Sequence, residues 1–349
     1  MAHSVSTRTR ASYAMGIAAI ALIALGLILP AFASRGLIQD LFFILTMLTL
    51  AQFWNLLAGF GGLVSVGQQA FVGLGGYGLF GAAILWGMDP VLALPLSGLF
   101  ALAVAVPTAF FAFRLAGAYF AIGTWVAAEI VRLLIAQWKT IGGGTGTSLP
   151  REVQIDMAGV GLVEQVFDVR TAAAEDILAY LLALALTVCT IGGIYLLLRS
   201  KTGLALSATR DNPEAARAVG VKARWLNWLI YLTAAFGTGL TGGLIYLQQG
   251  RISPDAAFSV TDWTAYVIFI AVIGGMGTIE GPIIGILVFF ALQTLFADFG
   301  PGYLLALGLI GIAVMLFAPR GLWGLFSVRT GVQLFPIRRR LQSHPDNHK

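Results

Sequence analysis

Charge is scarce in this 349-residue sequence, and so are cysteine and histidine. Asp, Glu, Lys and Arg make up 11% of the residues, against about 25% in an average soluble domain. The mean hydropathy is +0.87. The single cysteine, Cys189, lies inside an apolar run and excludes an intrachain disulfide. The chain is therefore neither a typical soluble domain nor a disulfide-stabilised one.

The scarcity of reactive side chains also excludes several function classes. The three histidines, His3, His344 and His348, all lie in the terminal tails. We therefore expect no catalytic site, no metal site and no bound cofactor. The sequence has no G-x-x-x-x-G-K-[S/T] motif, since Lys201-Thr202 lacks the preceding glycines. Any ATP that drives this protein must be bound by another polypeptide.

Long apolar runs dominate what is present. Runs of about twenty residues are long enough to cross a bilayer as helices, and the alternating pattern of a membrane β-barrel is missing. The sequence predicts an all-α, polytopic helical membrane protein with about ten membrane segments and glycine-broken helices. The predicted segments are 13–33, 37–58, 68–87, 91–112, 118–138, 177–198, 227–248, 262–274, 282–298 and 302–318.

The positions of the basic residues predict the orientation of these segments. With residues 1–12 inside, 15 of the 21 Lys and Arg residues fall on the inner side, as the positive-inside rule requires. The net charge of +5 thus reflects topology and does not indicate nucleic-acid binding. We predict one permease-like domain over 13–325, with a periplasmic loop at 139–176, a cytoplasmic loop at 199–226 and a basic cytoplasmic tail at 326–349.

The loop at 199–226 is the longest polar interruption in the second half of the chain, and we call it the coupling loop. Asn212 suits a helix N-cap, Pro213 the first helical position and Glu214 the positive end of the helix dipole. Gly220 ends the helix in the left-handed conformation. Ala215, Ala216 and Val219 would share one face without large side chains. This pattern predicts a short helix that docks into a partner protein, the alternative being a solvated loop.

Two glycine-rich stretches, 59–78 and 274–285, interrupt the apolar pattern in the two halves of the chain. They share G-G-x-x-[S/T]-apolar, with Gly61-Gly62 in the first and Gly274-Gly275 in the second. Paired breaks of this kind mark the transport path of many transporters, although close helix packing through glycine explains them equally well. Polar residues near the first break are candidates for the path: Asn55, Ser65, Gln68, Gln69 and Tyr77.

Few ionisable residues fall in the predicted spans. Glu129, a further candidate for the path, and Arg132 are three residues apart, which places them on one helix face as mutual partners. Glu280 lies in the second break, where it either caps a helix or contributes to the path. A proton-driven transporter usually needs carboxylates or histidines deep in the membrane, so this pattern does not favour proton coupling.

Several of these runs resemble branched-chain amino-acid ABC permeases of the LivM type. E-A-A at 214–216 followed by Gly220 resembles the loop through which such permeases contact their ATPase. The longer matches are at 203–221, 55–77, 114–124, 252–255 and 272–285. The resemblance implies contact with the ATPase through Arg210, Asp211, Asn212, Glu214, Ala215, Ala216 and Gly220.

The resemblance implies an importer subunit in a bacterial inner membrane. Its partners would be a LivH-type second permease, two cytoplasmic ABC ATPases and a periplasmic solute-binding protein. Branched-chain or other hydrophobic amino acids are the expected solutes. The alternatives are a related urea or amide importer, an ion-coupled secondary transporter or channel, and an intramembrane scaffold without transport activity.

Overall fold

A computed structural model describes residues 3–6, 10–296, 302–331, 334–336 and 340–343. Over these residues the chain is mostly helical, because a segment that crosses a bilayer must satisfy its backbone hydrogen bonds internally. The helices are α1 (Arg10–Ile28), α2 (Arg35–Asn55), α3 (Gln68–Trp86), α4 (Pro90–Ala112), α5 (Ala118–Ala136), α6 (Arg151–Ile155), α7 (Val160–Phe167), α8 (Thr171–Arg199), α9 (Lys201–Asp211), α10 (Pro213–Ala218), α11 (Ala223–Gln249), α12 (Pro254–Ala257), α13 (Tyr266–Gly274), α14 (Glu280–Leu295), α15 (Gly302–Phe317) and α16 (Gly321–Thr330).

Short irregular pieces complete the described chain. A π-helical turn, Leu56–Phe60, extends α2, and a second one, Thr261–Ala265, leads into α13. Strands β2 (Thr147–Ser148) and β3 (Arg251–Ile252) pair antiparallel, as do β1 (His3–Ser6) and β4 (Arg340–Ser343). Three 3-10 turns are at Leu29–Ala31, Lys139–Ile141 and Gly143–Thr145.

The predicted fold class is confirmed. Within the described residues, eight helical stretches are long and apolar enough to cross a membrane, and two shorter apolar helices, Gly16–Ala31 and Glu280–Leu295, accompany them. Together they occupy the ten predicted positions. The last stretch, Leu304–Thr330, continues through α16 and crosses the predicted boundary at residue 325. Residues 332–333, 337–339 and 344–349 of the predicted basic tail lie outside the described residues.

The core is built on close contacts between α3, α4 and α11. A methyl group on Gly75 would lie 1.9 Å from the carbonyl oxygen of Gly239, and one on Gly242 would lie 2.2 Å from that of Val72. The backbones of α3 and α11 therefore touch without side chains between them. Such contacts hold membrane helices together where the hydrophobic effect cannot.

Loops gather at two ends of the helix bundle, as the charge pattern predicts. At one end Asp89 accepts a 2.7 Å hydrogen bond from the Ala158 amide, and β2 of the 139–176 loop pairs with β3. At the other end, which we call the coupling end, the coupling loop contacts the segment after α2. Side chains at each end thus tie together loops that are distant in sequence.

The predicted 139–176 loop is shorter than expected, because α8 begins at Thr171. Asp176 consequently lies in a helix and is buried. Its carboxylate accepts hydrogen bonds from Arg35, from Gln39 at 3.1 Å and from Gln248 at 3.4 Å. A buried carboxylate is tolerated only with such partners. The partners come from α2 and α11, which local sequence does not reveal.

Candidate functional site

The coupling loop folds into two helices joined at Asn212. The Asn212 side chain accepts hydrogen bonds from the amides of Glu214 at 3.1 Å and Ala215 at 3.0 Å. Pro213 is the first residue of α10, and Gly220, after its end, has φ +85°. The predicted cap, the short helix and the glycine stop are all confirmed, and the helix is six residues long.

The predicted uniform docking face on α10 is wrong in one respect. Ala216 is buried against the protein at 3% exposure, whereas Val219 is 79% exposed and Ala215 is also exposed. The three residues therefore do not form one free surface. The exposed side of α10 instead carries Glu214, Ala215 and Arg217. Ala216 fixes the helix to the protein, since a larger side chain would not fit.

Helix α9 was not predicted from the sequence. Ser200 caps it by accepting a 3.1 Å hydrogen bond from the Thr202 amide, and its inner face buries Gly203, Leu206 and Thr209. The helix therefore packs one face against the protein and places Arg210 in its last turn.

The first glycine break is shorter than predicted. The chain leaves α2 through the π-helical turn, and Gly62 has φ +70°, which a side chain would disfavour. The Trp54 indole donates a 2.8 Å hydrogen bond to the Ser65 carbonyl. From Gln68 onward the chain is a regular helix despite its glycines. The glycines of α3 serve close packing, so only residues up to 67 are broken.

The second break covers residues 275–279, between α13 and α14. Gly275 has φ +128° and Gly277 has φ +76°. Gly274, just before the break, ends α13 and packs against α14. A methyl group on Gly274 would lie 1.8 Å from the Gly281 carbonyl oxygen. Gly62 and Gly275, which are equivalent in the shared G-G-x-x-[S/T] pattern, both have positive φ. The pattern therefore marks equivalent backbone turns.

The two breaks contact each other directly. Asn55 donates a 2.8 Å hydrogen bond to the Thr278 carbonyl and accepts one of 2.8 Å from the Gly277 amide. Gln52, which the sequence did not single out, donates a 2.7 Å bond to the Ile279 carbonyl. A methyl group on Gly59 would lie 2.4 Å from the Gly277 nitrogen. We call this contact between 52–59 and 277–279 the junction.

Arg210 connects the coupling loop to the junction. Its guanidinium Nη1 donates a 2.8 Å hydrogen bond to the Gly59 carbonyl, while its other nitrogens contact the Asp211 carboxylate at 3.2 and 3.3 Å. A methyl group on Gly277 would lie 3.1 Å from the same Nη1. One arginine thus touches both breaks. A charged donor on a carbonyl makes one of the stronger hydrogen bonds in proteins.

The other polar candidates around the first break are buried among helices of this chain. Gln68 donates a 2.9 Å bond to the Leu50 carbonyl, and Thr264 bonds to the Gln69 side chain. Ser65 accepts a 3.2 Å bond from the Gly67 amide. Tyr77 stacks on Phe258 with ring centroids 6.1 Å apart. These contacts hold helices together, and a role for these residues in the path stays a prediction.

The two charged candidates lie apart from each other. Glu129 is half-exposed on α5 and pairs with Arg132, which also reaches Asp255 at 2.8 Å. Glu280 is the first residue of α14 and is buried. It accepts hydrogen bonds from the amides of Leu334 at 3.1 Å and Phe335 at 2.8 Å. Within the described residues, no three His, Cys, Asp or Glu side chains cluster as metal ligands would.

Comparison with known proteins agrees with the resemblance noted in the sequence. Residues 36–319 match the family described as branched-chain amino acid transport system, permease component. The chain is 28% identical over 314 residues to the high-affinity branched-chain amino acid transport system permease protein LivM of Escherichia coli, covering 87% of this chain and 73% of that protein. The Salmonella typhimurium LivM matches to the same extent.

A shorter match extends to a second kind of permease. The chain is 33% identical over 146 residues to the probable branched-chain amino acid transport permease protein LivH of Methanocaldococcus jannaschii, covering 38% of this chain and 44% of that protein. No solved structure gives a significant match. The chain belongs to the family of branched-chain amino acid transport system permease components and is a multi-pass protein of the bacterial inner membrane.

Proposed function

We propose that this chain is a permease subunit of an ATP-driven importer for branched-chain or other hydrophobic amino acids. Solute would pass from a periplasmic binding protein through the membrane subunits into the cytoplasm. The family match over residues 36–319 supports the transport role. The hydrogen bond from Arg210 to Gly59 supports the coupling role, because it links the coupling loop directly to the junction.

The proposed assembly contains partners that supply what this chain lacks. The sequence has no phosphate-binding loop, so two cytoplasmic ABC ATPases would bind and hydrolyse the ATP. A LivH-type permease would form the other half of the membrane channel. A periplasmic binding protein would select the solute. The membrane subunits would then need no tight binding site of their own.

The excess of Lys and Arg at the coupling end supports a cytoplasmic position for the coupling loop. The opposite end carries the 139–176 loop with its carboxylates, and that end would face the periplasm. The exposed side of α10, with Glu214, Ala215 and Arg217, would then be available to a cytoplasmic ATPase. Ala216 would keep α10 attached to the membrane bundle while the ATPase moves it.

Movement of α10 would reach the junction in two steps. Helix α9 precedes α10 with only Asn212 between them, so the two helices share one short connection. Arg210 then passes a displacement of α9 to the Gly59 carbonyl and to the adjacent Gly277. Because the Gln52 and Asn55 side chains hold residues 277–279 directly against the end of α2, a small shift there would change how the two halves of the bundle meet.

Transport by reconstituted protein tests this proposal. The chain would be placed in liposomes alone and together with its second permease and ATPases, with radiolabelled leucine and the binding protein outside. We expect uptake only with all subunits and internal ATP. Uptake by the chain alone under a proton or sodium gradient would contradict the proposal and favour a secondary transporter.

A further inference from the structure

A wide groove opens at the coupling end beside the second break. Its volume is about 840 Å³, and its lining includes Met276, Met315, Arg320 and Trp323. A second cavity of about 280 Å³ is lined by Arg320 and Arg329. Arg320, Gly324 and Val328 line both cavities, at intervals of four residues along α16. The two cavities therefore adjoin along one stripe of α16.

The charge along this groove is positive. Arg320 and Arg329 are both exposed, and among the described residues no carboxylate lies within ion-pair distance of either. Glu280 is the one carboxylate among the described residues lining the groove, and it already accepts two backbone amide hydrogen bonds. Arg210, at the other edge, is engaged by Asp211 and Gly59. Arg320, which lines both cavities, and Arg329, which lines only the second one, are thus left for an anion.

The same groove is bordered by exposed apolar side chains. Met276 is 48% exposed, Met315 52% and Val328 65%. Trp323 and Phe326 are neighbours with ring centroids 5.4 Å apart. Tryptophan is typical of the membrane–water interface, and Trp323 lies in α16 between the two exposed arginines. The groove thus combines the positive charge of Arg320 with exposed apolar side chains.

We propose that this groove binds an anionic phospholipid. Its headgroup phosphate would lie between Arg320 and Arg329, and an acyl chain would lie along Met315 and Val328. Basic pockets between helices at the cytoplasmic side suit such headgroups. Helix α16 belongs to the apolar stretch Leu304–Thr330, which is long enough to cross a membrane, so lipid would be available beside the groove. The inference does not rest on the transport proposal.

A lipid in this position would also touch the second break, because Met276, Gly277 and Thr278 line the same groove. The lipid would fill space beside residues 276–278, in a segment whose backbone bonds to the side chains of Gln52 and Asn55. The headgroup composition of the membrane would therefore influence the stability of the junction. This effect would appear with or without solute and ATP.

Lipid retention by the full chain, purified with the subunits that accompany it, tests the proposal. Native mass spectrometry would count bound phosphatidylglycerol and phosphatidylcholine at defined concentrations. Each arginine near a bilayer surface contributes about 1 kcal/mol to binding anionic lipid. The double variant Arg320→Gln/Arg329→Gln should therefore bind phosphatidylglycerol roughly 30-fold more weakly. The single variant Arg329→Gln, in the last turn of α16, should lose roughly fivefold.

Matched variants separate charge from structure. Arg320→Lys/Arg329→Lys keeps both charges and should retain most of the affinity. Arg114→Gln removes an exposed arginine that lies outside the groove and stacks on Phe110, and should leave lipid binding unchanged. If Arg329→Gln and Arg320→Gln/Arg329→Gln both retain as much phosphatidylglycerol as the unaltered protein, the proposal is overturned. Equal retention of phosphatidylcholine would also overturn it.

Two further outcomes identify a different occupant. Displacement of the lipid by an equal concentration of glycerol phosphate would show that the acyl chain contributes nothing to binding. The occupant of the groove would then be a free anion. Crosslinking of the variant Val328→Cys to an ATPase subunit, with no lipid retained in the assembled importer, would show that a protein covers the groove. Either result overturns the assignment to lipid.

Discussion

Asn55 and Gly277 are hydrogen-bonded at 2.8 Å although 222 residues separate them in the sequence. The bond runs from the Gly277 amide to the Asn55 side-chain oxygen, and the Asn55 amide group returns a bond to the Thr278 carbonyl. A single side chain thus satisfies two backbone groups of the second break. Such groups are costly to leave unpaired at membrane depth. The two breaks therefore form one structural unit.

The close approach at the junction predicts that Gly59→Ala destabilises the protein. The added methyl group would lie 2.1 Å from the Asn55 side-chain oxygen and 2.4 Å from the Gly277 nitrogen. Relief of such overpacking costs about 1–3 kcal/mol. We expect a lower midpoint of thermal unfolding in detergent. Gly192→Ala is the control, because nothing lies within 4 Å of that site; an equal loss in both variants would show that the junction is not the cause.

The link between loop and junction predicts that Arg210→Gln impairs transport more than assembly. The variant loses the charged hydrogen bond to the Gly59 carbonyl, worth about 1.5–3 kcal/mol. We expect ATP-driven uptake to fall at least tenfold while the subunits still co-purify. Arg114→Gln removes an exposed arginine that stacks on Phe110 and lies outside the coupling loop, and should change uptake less than threefold. Similar uptake in the two variants would contradict the assigned role of Arg210.

The cap of α10 predicts a graded response at Asn212. Asn212→Ala removes the acceptor for the Glu214 and Ala215 amides and should destabilise α10 by about 1 kcal/mol. Asn212→Asp keeps an acceptor at the same position and should preserve function. The measurement is ATP hydrolysis stimulated by the loaded binding protein. Full stimulation in Asn212→Ala would indicate that the order of α10 does not matter for coupling.

The position of Glu129 predicts that it does not carry protons. It is half-exposed and held by Arg132, which has a second carboxylate partner in Asp255. We expect Glu129→Gln to keep uptake within about twofold of the unaltered protein, with no effect of a protonophore on either. A loss of more than tenfold, together with protonophore sensitivity, would favour the secondary transporter.

Local sequence signals predicted the parts of the structure that depend on local physics. The N-cap at Asn212, the stop at Gly220 and the ten apolar segments depend on neighbouring residues or on run length alone, and all are present. The two glycine pairs, Gly61-Gly62 and Gly274-Gly275, also predicted real turns. Their extent was overestimated, because glycine in α3 serves helix contact as well as chain breaks.

Long-range contacts were beyond local sequence reasoning. Asn55 was expected at most to line a path and Gln52 was not singled out, yet their partners are carbonyls more than 220 residues away. Asp176 was expected in the 139–176 loop, while its three donors come from α2 and α11. The buried position of Ala216 depends on how α10 lies against the bundle. None of these follows from spacing along one helix.

The account rests on α10 as the contact with the ATPase, and site-directed crosslinking tests this most directly. In a Cys189→Ser background, Ala215→Cys on the exposed side of α10 and Leu162→Cys, 66% exposed at the opposite end, would each be labelled with a short thiol-reactive photocrosslinker and irradiated in assembled importer. We predict an ATPase adduct from Ala215→Cys only. An adduct from Leu162→Cys, or none from Ala215→Cys, would contradict the account.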